Sequence, residues 1–223
     1  MQIKLSRAEY WILETLVRFK YPLSDYASPD HELIFNQPSH GLNRADLLDT
    51  LEAMVRARWI ETHWWDDSIV EDSESGAFFP ERDEIDKAMD GRRVIEMDWA
   101  SRQSPLLYAQ LTPLGGSIWE SFACPKWERF IDDCIQTEVG ELSSIEKGNL
   151  EYYLLHAHYL GIIVKAETLK WEIVSPWEAT YWKTFPQAHR VRFERHQEEL
   201  SDSDEQRSIP HSFMTSLEWY RWS

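Results

Sequence analysis

The strongest hydrophobic pattern in the chain is helical and lies at residues 42–60. Apolar side chains recur there every three to four residues, which predicts a helix with one buried face. That face is formed by Leu47, Leu48, Leu51, Met54 and Val55. The outer face carries the acids Asp46, Asp49 and Glu52, and Trp59-Ile60 is predicted to begin a strand directly afterwards.

Other stretches alternate between helical and extended patterns. Ser6-Arg7-Ala8-Glu9 forms a capping box that opens a predicted helix, and Pro22 is expected to end it. Further helices are predicted at 33–35, 79–89, 113–124, 125–135 and 143–161, and strands at 106–112, 162–165, 169–174 and 189–195. A second capping box, Ser143-Ser144-Ile145-Glu146, places the last of these helices, and residues 176–185 are predicted to form a helical turn.

Composition adds two unusual features to this pattern. The 223 residues include 12 Trp, 9 Tyr and 9 Phe, so aromatic side chains are expected at interfaces as well as in the core. The net charge is −16, and thirteen acids lie between residues 61 and 98 against only four bases. A surface of this kind repels nucleic acid and anionic membrane, and it attracts a basic partner.

The chain contains no motif that is typical of an enzyme or a metal site. It has no phosphate-binding glycine loop and no nucleophile motif, and its eight histidines lack ligand spacing. Cys124 and Cys134 are predicted to be small buried residues of a reduced, cytoplasmic protein. No stretch is apolar over the roughly 20 residues that span a bilayer. We therefore predict no catalytic residue, no cofactor, no metal and no membrane partner.

A further motif begins in the strand predicted at 106–112. It runs Tyr108-x-x-Leu111-Thr112-x-x-Gly115-Gly116-x-x-Trp119-Glu120. It resembles the end of the second wing strand and the start of the next helix in winged helix-turn-helix regulators of the MarR and PadR kind. The helix at 42–57 then corresponds to their recognition helix. The resemblance covers about residues 6–123, and it implies a winged-helix fold that binds DNA.

The expected fold class is α+β, in four segments. They are a winged-helix-like domain at 1–136 with an acidic insert at 61–98, a small α/β unit at 137–195, a disordered link at 196–208 and an aromatic tail at 209–223. The tail is expected to dock onto this chain or onto a second one. The aromatic stretch at 175–186 is either a platform for a partner or a core segment that holds the C-terminal unit to the winged-helix domain, and we favour the core segment.

The leading functional hypothesis is a non-enzymatic, acidic protein-binding module for a basic partner. Acids would steer that partner and exposed aromatic side chains would anchor it. The residues proposed for this role are Trp64, Trp65, Asp66, Asp67, Glu71, Asp72 and Glu74. One form is a bacterial-type immunity, antitoxin-like or inhibitor protein that blocks a basic effector such as a nuclease.

The alternative hypothesis is a winged-helix transcriptional regulator that binds DNA. A homodimer would gather its basic residues into one stripe that contacts phosphates. The candidate DNA-binding residues are Asn43, Arg44, Arg56, Arg58, Arg92 and Arg93. The acidic outer face of the helix at 42–57 and the long acidic insert argue against nucleic acid as the partner.

Overall fold

The structure is a computed structural model that describes residues 4–65, 76–90, 106–136, 138–197 and 210–220. The chain divides into two compact units, Met1–Phe122 and Ala123–Ser223. Both units combine helices with antiparallel strands, so the predicted mixture of α and β structure is confirmed.

The described part of the N-terminal unit contains six helices and three strands. They are α1 (Arg7–Thr15), β1 (Tyr21–Pro22), α2 (Leu23–Ala27), α3 (His31–Phe35), α4 (Arg44–Arg56), β2 (Ile60–Trp65), α5 (Arg82–Met89), β3 (Leu106–Leu111) and α6 (Pro113–Ala123). The strands form an antiparallel sheet in the order β1-β3-β2. In this sheet Tyr21 lies opposite Ala109, and Ile60 lies opposite Leu111.

Local hydrogen bonds begin the longer helices of this unit. Ser6 and Glu9 form the predicted capping box at the start of α1. Asn43 caps α4, because its side-chain oxygen accepts a hydrogen bond from the Asp46 amide at 3.0 Å. The predicted apolar face of α4 is confirmed, since all five of its residues are buried.

Helix α1 ends at Thr15, before the predicted end at Pro22. Tyr21 and Pro22 instead extend along β3, opposite Ala109 and Tyr108. A pattern of local spacing does not reveal this pairing, because the partner strand lies more than eighty residues further along the chain.

Part of the acidic insert packs against the core of the N-terminal unit. The predicted helix at 79–89 is confirmed as α5, which contacts α2 and α4 and buries Ile85 and Met89. Just before α5, the Phe78 backbone exchanges two hydrogen bonds with Thr62, at 2.8 and 2.9 Å, along the outer edge of β2. The insert is therefore attached to the edge of the sheet at Phe78.

The C-terminal unit is built around one long strand. Its named elements are β4 (Asp132–Ile135), β5 (Val139–Ser144), α7 (Lys147–His156), β6 (Ile162–Val164), β7 (Lys170–Val174), β8 (Trp177–Thr180), β9 (Lys183–Phe185), β10 (Ala188–Gln197) and α8 (His211–Leu217). The sheet order is β4-β5-β10-β6, with β7 also paired to β10, and β8 and β9 form a separate hairpin. Helix α7 covers one face of the sheet, where Leu150 and Tyr153 pack with Leu142, Val191 and Phe193.

Three predicted elements of this unit are wrong. Residues 125–135 form a short 3-10 helix at Trp127–Arg129 and then strand β4, which pairs with β5. Ser143 and Ser144 do not cap a helix, because they end strand β5 opposite Arg190 and His189. Residues 176–185 form the β8–β9 hairpin instead of a helical turn. In each case strand pairing replaces the predicted helical structure, within a hairpin for β4–β5 and β8–β9 and with the distant strand β10 for Ser143 and Ser144.

The C-terminal tail docks onto its own chain. Phe213 and Trp219 are buried, and the Trp219 ring centroid lies 4.6 Å from that of Phe130 and 4.8 Å from that of Trp127. Trp177 joins the same cluster and is also buried. The aromatic stretch at 175–186 thus contributes Trp177 to the core of the C-terminal unit.

The segment 123–136, which the prediction placed in the first domain, belongs to the second compact unit. The physical reason is the pairing of β4 with β5, which makes this segment the edge of the second sheet. Strand β10 includes His196 and Gln197, the first two residues of the predicted link. Residues 198–208 of that link lie outside the described residues.

Candidate functional site

The candidate site is the surface formed by helices α4 and α5 of the N-terminal unit, which we call the α4–α5 surface. The two helices are in contact, and the polar side of α5 carries Asp83, Glu84, Asp86 and Asp90. Residues 43–58 and 81–90 together contain eight acids and five bases, so this surface is acidic on balance.

Arginine 82 ties the two helices together at their centre. One of its terminal nitrogens lies 2.6 Å from Asp49 Oδ1, and the other pairs with Glu52. Hydrogen bonds to Glu52 and Asp49 raise the pKa of the Arg82 guanidinium above its ordinary value. Two of the three acids on the outer face of α4 are therefore neutralised within the chain. The third, Asp46, accepts a hydrogen bond from the Asn43 amide group at 2.7 Å.

The arginines of α4 also form ion pairs with carboxylates of the α4–α5 surface. Arg44 lies 2.8 Å from Asp86 and 2.9 Å from Asp90, both contributed by α5 or its end. Arg56 lies 2.6 Å from Glu52, four residues earlier on the same helix. The exposed pairs of Arg44 contribute little stability, but a phosphate would have to displace the carboxylates from either arginine in order to bind.

The predicted DNA-binding residues are therefore brought together only in part. Asn43 serves as the cap of α4, and Arg44 and Arg56 are ion-paired. Arg58 stands at the turn after α4 with a φ of 58°, and its guanidinium lies 5.0 Å from the centroid of the Phe79 ring. Arg92 and Arg93 lie outside the described residues.

The predicted protein-binding residues lie at the end of β2 and beyond it. Trp64 is 38% exposed and stacks on Phe78 with 6.5 Å between the ring centroids. Trp65 follows it in β2, opposite Leu106. The five acids Asp66, Asp67, Glu71, Asp72 and Glu74 lie outside the described residues. Trp64 is thus an exposed aromatic side chain, as an anchor requires.

The role of α5 was missed by sequence reasoning. In the sequence, Asp86 and Asp90 stand out only as members of the acidic insert, and Arg82 only as one of its four bases. Their contacts with α4 join residues 30 to 46 positions apart, so no local spacing marks them. The available signal was the amphipathic spacing of Ile85 and Met89, which predicts that α5 buries one face.

Glu14 and His40 are two of the buried titratable side chains of the N-terminal unit. Burial raises the pKa of Glu14 to about 7, although a hydrogen bond from the Tyr10 hydroxyl opposes this shift. Burial lowers the pKa of His40, whose ring stacks on His31 with centroids 4.4 Å apart. His40 is held as the neutral form that donates to the Tyr26 carbonyl, because its Nδ1 accepts the Leu42 amide at 3.0 Å.

Glutamate 14 should make the stability of the protein depend on pH. Its folded pKa lies above the ordinary value of 4.5, so its protonated form favours folding and that stability is lost as pH rises toward about 7. Glu14→Gln, which resembles the neutral carboxyl, should remove this loss and raise stability at about pH 8. Urea unfolding at about pH 5 and about pH 8 measures the difference.

The control for this experiment is Glu32→Gln, an exposed glutamate on α3. It should leave the pH dependence unchanged. His40 titrates in the opposite sense, because its neutral form is the folded one, and this contribution cancels when variant and wild type are compared. A Glu14→Gln protein that loses stability with pH as steeply as the wild type would contradict the assignment.

Within the described residues, no three His, Cys, Asp or Glu side chains converge on a position that could hold a metal ion. Cys124 and Cys134 are both exposed, so the prediction that they are buried is wrong. Cys124 lies just beyond the end of α6, and Cys134 lies in β4, the edge strand of the sheet.

A comparison of the chain with protein-family models, with curated proteins and with solved structures found no match. The resemblance to MarR and PadR regulators therefore stays a prediction. Among the helices that the structure describes, none combines the length and the apolar character that a membrane crossing needs.

Proposed function

We propose that this protein is a non-enzymatic, acidic protein-binding module whose N-terminal unit binds a basic partner. The observation that carries this proposal is the pairing of Arg44 and Arg56 with carboxylates on α4 and α5. These pairs engage both arginines of α4, and the eight acids against five bases of residues 43–58 and 81–90 leave the α4–α5 surface acidic.

Electrostatic attraction explains how such a surface would work. An acidic surface raises the rate at which a basic partner is encountered, and the effect weakens as salt screens the charges. Trp64, stacked on Phe78 next to the acidic segment, supplies an aromatic side chain of the type that anchors interfaces. Charge would thus steer the partner, and aromatic contact would hold it.

A concrete form of this function is an immunity, antitoxin-like or inhibitor protein. A basic effector such as a nuclease has a positive surface that binds nucleic acid, and an acidic protein can occupy that surface in place of the phosphates. The net charge of −16 supports this form of the proposal.

Neutralising the acidic segment should slow association with the partner. We expect replacement of Asp66, Asp67, Glu71, Asp72 and Glu74 by their amides to lower the association rate constant about tenfold at low salt. The dissociation rate should change less, because steering charges act mainly on encounter. The partner would be isolated with the wild-type chain as bait, and rates would then be measured by surface plasmon resonance over a salt series.

The matched control removes the same charge from the other unit. It replaces five exposed glutamates of the C-terminal unit, Glu128, Glu138, Glu146, Glu167 and Glu178, by glutamine. This control variant should associate faster than the variant at residues 66–74, and its association rate should depend more steeply on salt. Equal slowing in both variants would show that net charge alone matters, and an unchanged rate in the first would contradict steering by residues 66–74.

A second candidate function, a winged-helix regulator that binds DNA, is supported by topology. Helix α4 is followed directly by β2, and β2 pairs with β3, which comes after α5 in the chain. A recognition helix is likewise followed by the paired strands of a wing. The end of β3 at Leu111 and the start of α6 at Pro113 also agree with the motif that suggested this family.

A gel shift with random-sequence duplex DNA separates the two candidates. A DNA-binding regulator should retain nonspecific affinity at low salt, and that affinity should fall steeply as salt rises. An acidic protein-binding module should not shift the duplex at any salt concentration.

A further inference from the structure

Strand β7 is exposed along almost its whole length. Of its five residues, Lys170, Trp171, Glu172 and Ile173 are all exposed, and only Val174 is half-buried. Trp171 is 36% exposed and Ile173 is 64% exposed, which is unusual for large apolar side chains within a strand. In the described part of the C-terminal unit, β7 pairs with β10 alone. One backbone edge of β7 is thus open to a further strand.

The other edge strands of this sheet are less suited to pairing. Strand β4 carries the adjacent acids Asp132 and Asp133, and charged side chains on an edge disfavour a second strand. Strand β6 has only three residues. The combination of five residues, an open edge and two exposed apolar side chains singles out β7 among the described strands.

We propose that β7 pairs with β7 of a second copy of this chain, antiparallel and about a two-fold axis at Trp171. In this register Lys170 of each copy lies opposite Glu172 of the other copy, so two complementary charge pairs form. The apolar pairs lie on the opposite face of the extended sheet from these charge pairs. There Trp171 lies opposite Trp171 of the other copy, and Leu169 lies opposite Ile173. The two β10–β7 sheets join into one continuous sheet.

The sequence of β7 selects this register over its neighbours. An axis at Glu172 would place the Glu172 carboxylates of the two copies opposite each other, and these like charges would repel. An axis at Ile173 would place Glu172 opposite Val174 and leave its charge without a partner across the interface. Only the axis at Trp171 matches lysine with glutamate and apolar with apolar residues. A second copy is therefore the occupant whose chemistry fits the edge.

The neighbouring contacts of β7 are compatible with this pairing. The Glu172 carboxylate lies 3.4 Å from Arg190 and 3.5 Å from Arg192, so these contacts are long and the group stays 45% exposed. Lys147 lies 4.6 Å from the Trp171 ring centroid and covers part of one ring face. The interface is small, and we expect a dissociation constant on the order of 10 μM.

Sedimentation velocity of the full chain tests the proposal at concentrations from about 1 to about 100 μM. The wild type should sediment as a monomer–dimer equilibrium. Lys170→Glu should weaken the dimer about tenfold or more, because it places like charges opposite each other twice across the two-fold axis. Ile173→Lys should weaken it to a similar extent, because it places a charge opposite the apolar Leu169 at both equivalent positions. The matched control is Ile163→Lys, an equivalent change at an exposed isoleucine on β6, which should not alter association.

A mixing experiment tests the register itself. Glu172→Lys alone should also weaken the dimer, since Lys170 then faces a lysine. An equimolar mixture of Lys170→Glu and Glu172→Lys chains restores opposite charges at both positions and should recover association. Far-UV circular dichroism checks that each variant is folded.

Three results would overturn the proposal. They are a wild type that stays monomeric up to about 100 μM, an Ile163→Lys variant as impaired as Ile173→Lys, and a mixture that associates no better than its components. These outcomes do not depend on whether the α4–α5 surface binds a basic partner, so the two proposals fail separately.

Discussion

Replacing Gly115 with alanine should lower the free energy of unfolding of the N-terminal unit by about 3 kcal/mol. An added Cβ at this position would lie 1.9 Å from the Trp59 carbonyl oxygen and 2.8 Å from its carbonyl carbon. These are backbone atoms, which cannot turn away as a side chain can. The first turn of α6 would have to move away from the segment that links α4 to β2.

Hydrogen bonds oppose that movement. The Thr112 hydroxyl donates to the Arg58 carbonyl at 2.6 Å and accepts from the Gly115 amide at 3.0 Å. The Thr112 amide also donates to the Trp59 carbonyl at 3.1 Å. The start of α6 is thus bound to the same turn that the new methyl group would push away, and relief of the clash would break these bonds.

A matched control exists in the C-terminal unit. Gly148 lies in the first turn of α7, and a Cβ there would meet nothing within 4 Å. Gly148→Ala should therefore stabilise α7 by up to about 1 kcal/mol, through helix propensity alone. Urea unfolding followed by far-UV circular dichroism compares the two variants. A Gly115→Ala protein as stable as the wild type would contradict the close approach of α6 to Trp59.

Phe213→Ala should destabilise the C-terminal unit by about 4 kcal/mol, because it removes a buried aromatic ring and leaves a cavity. Phe213 is only 1% exposed, and its ring centroid lies 5.8 Å from that of His156 and 5.9 Å from that of Tyr159. Tyr152 and Tyr153 complete its surroundings at 6.1 and 6.3 Å. The ring attaches α8 to α7.

The adjacent Met214 provides the control, because it lies on the same helix and is 45% exposed. Met214→Ala should change stability by no more than about 0.5 kcal/mol. Hydrogen exchange of the α8 amides measures the docking directly. Exchange should accelerate strongly in Phe213→Ala and little in Met214→Ala. Equal protection of α8 in both variants would contradict docking through Phe213.

Sequence patterns predicted the N-terminal unit better than the C-terminal one. The capping box at Ser6 and Glu9, the buried face of α4 and the strand before Thr112 are all present. Each of these signals is local, because a helix start or an amphipathic face depends on residues within a few positions. The second capping box follows the same rule and is wrong, since Ser143 and Ser144 lie within a sheet opposite β10.

The candidate site was predicted only in its general character. Acidity and aromatic content were visible in composition, and Trp64 is exposed as an anchor should be. The pairing of Arg44 with Asp86 and Asp90 was not visible, because it joins residues more than forty positions apart. That pairing decides how the basic residues of α4 are used, and it is the main support for a protein partner.

The sequence by itself determined where helices α1 and α6 begin, which face of α4 is buried and how strongly acidic the protein is. These properties depend on the identity and spacing of neighbouring residues. Only the tertiary structure decided which strands pair, that the tail docks on its own chain through Phe213 and Trp219, and which arginines are neutralised. Those outcomes depend on which distant segments meet in space, and no periodicity along the chain encodes that choice.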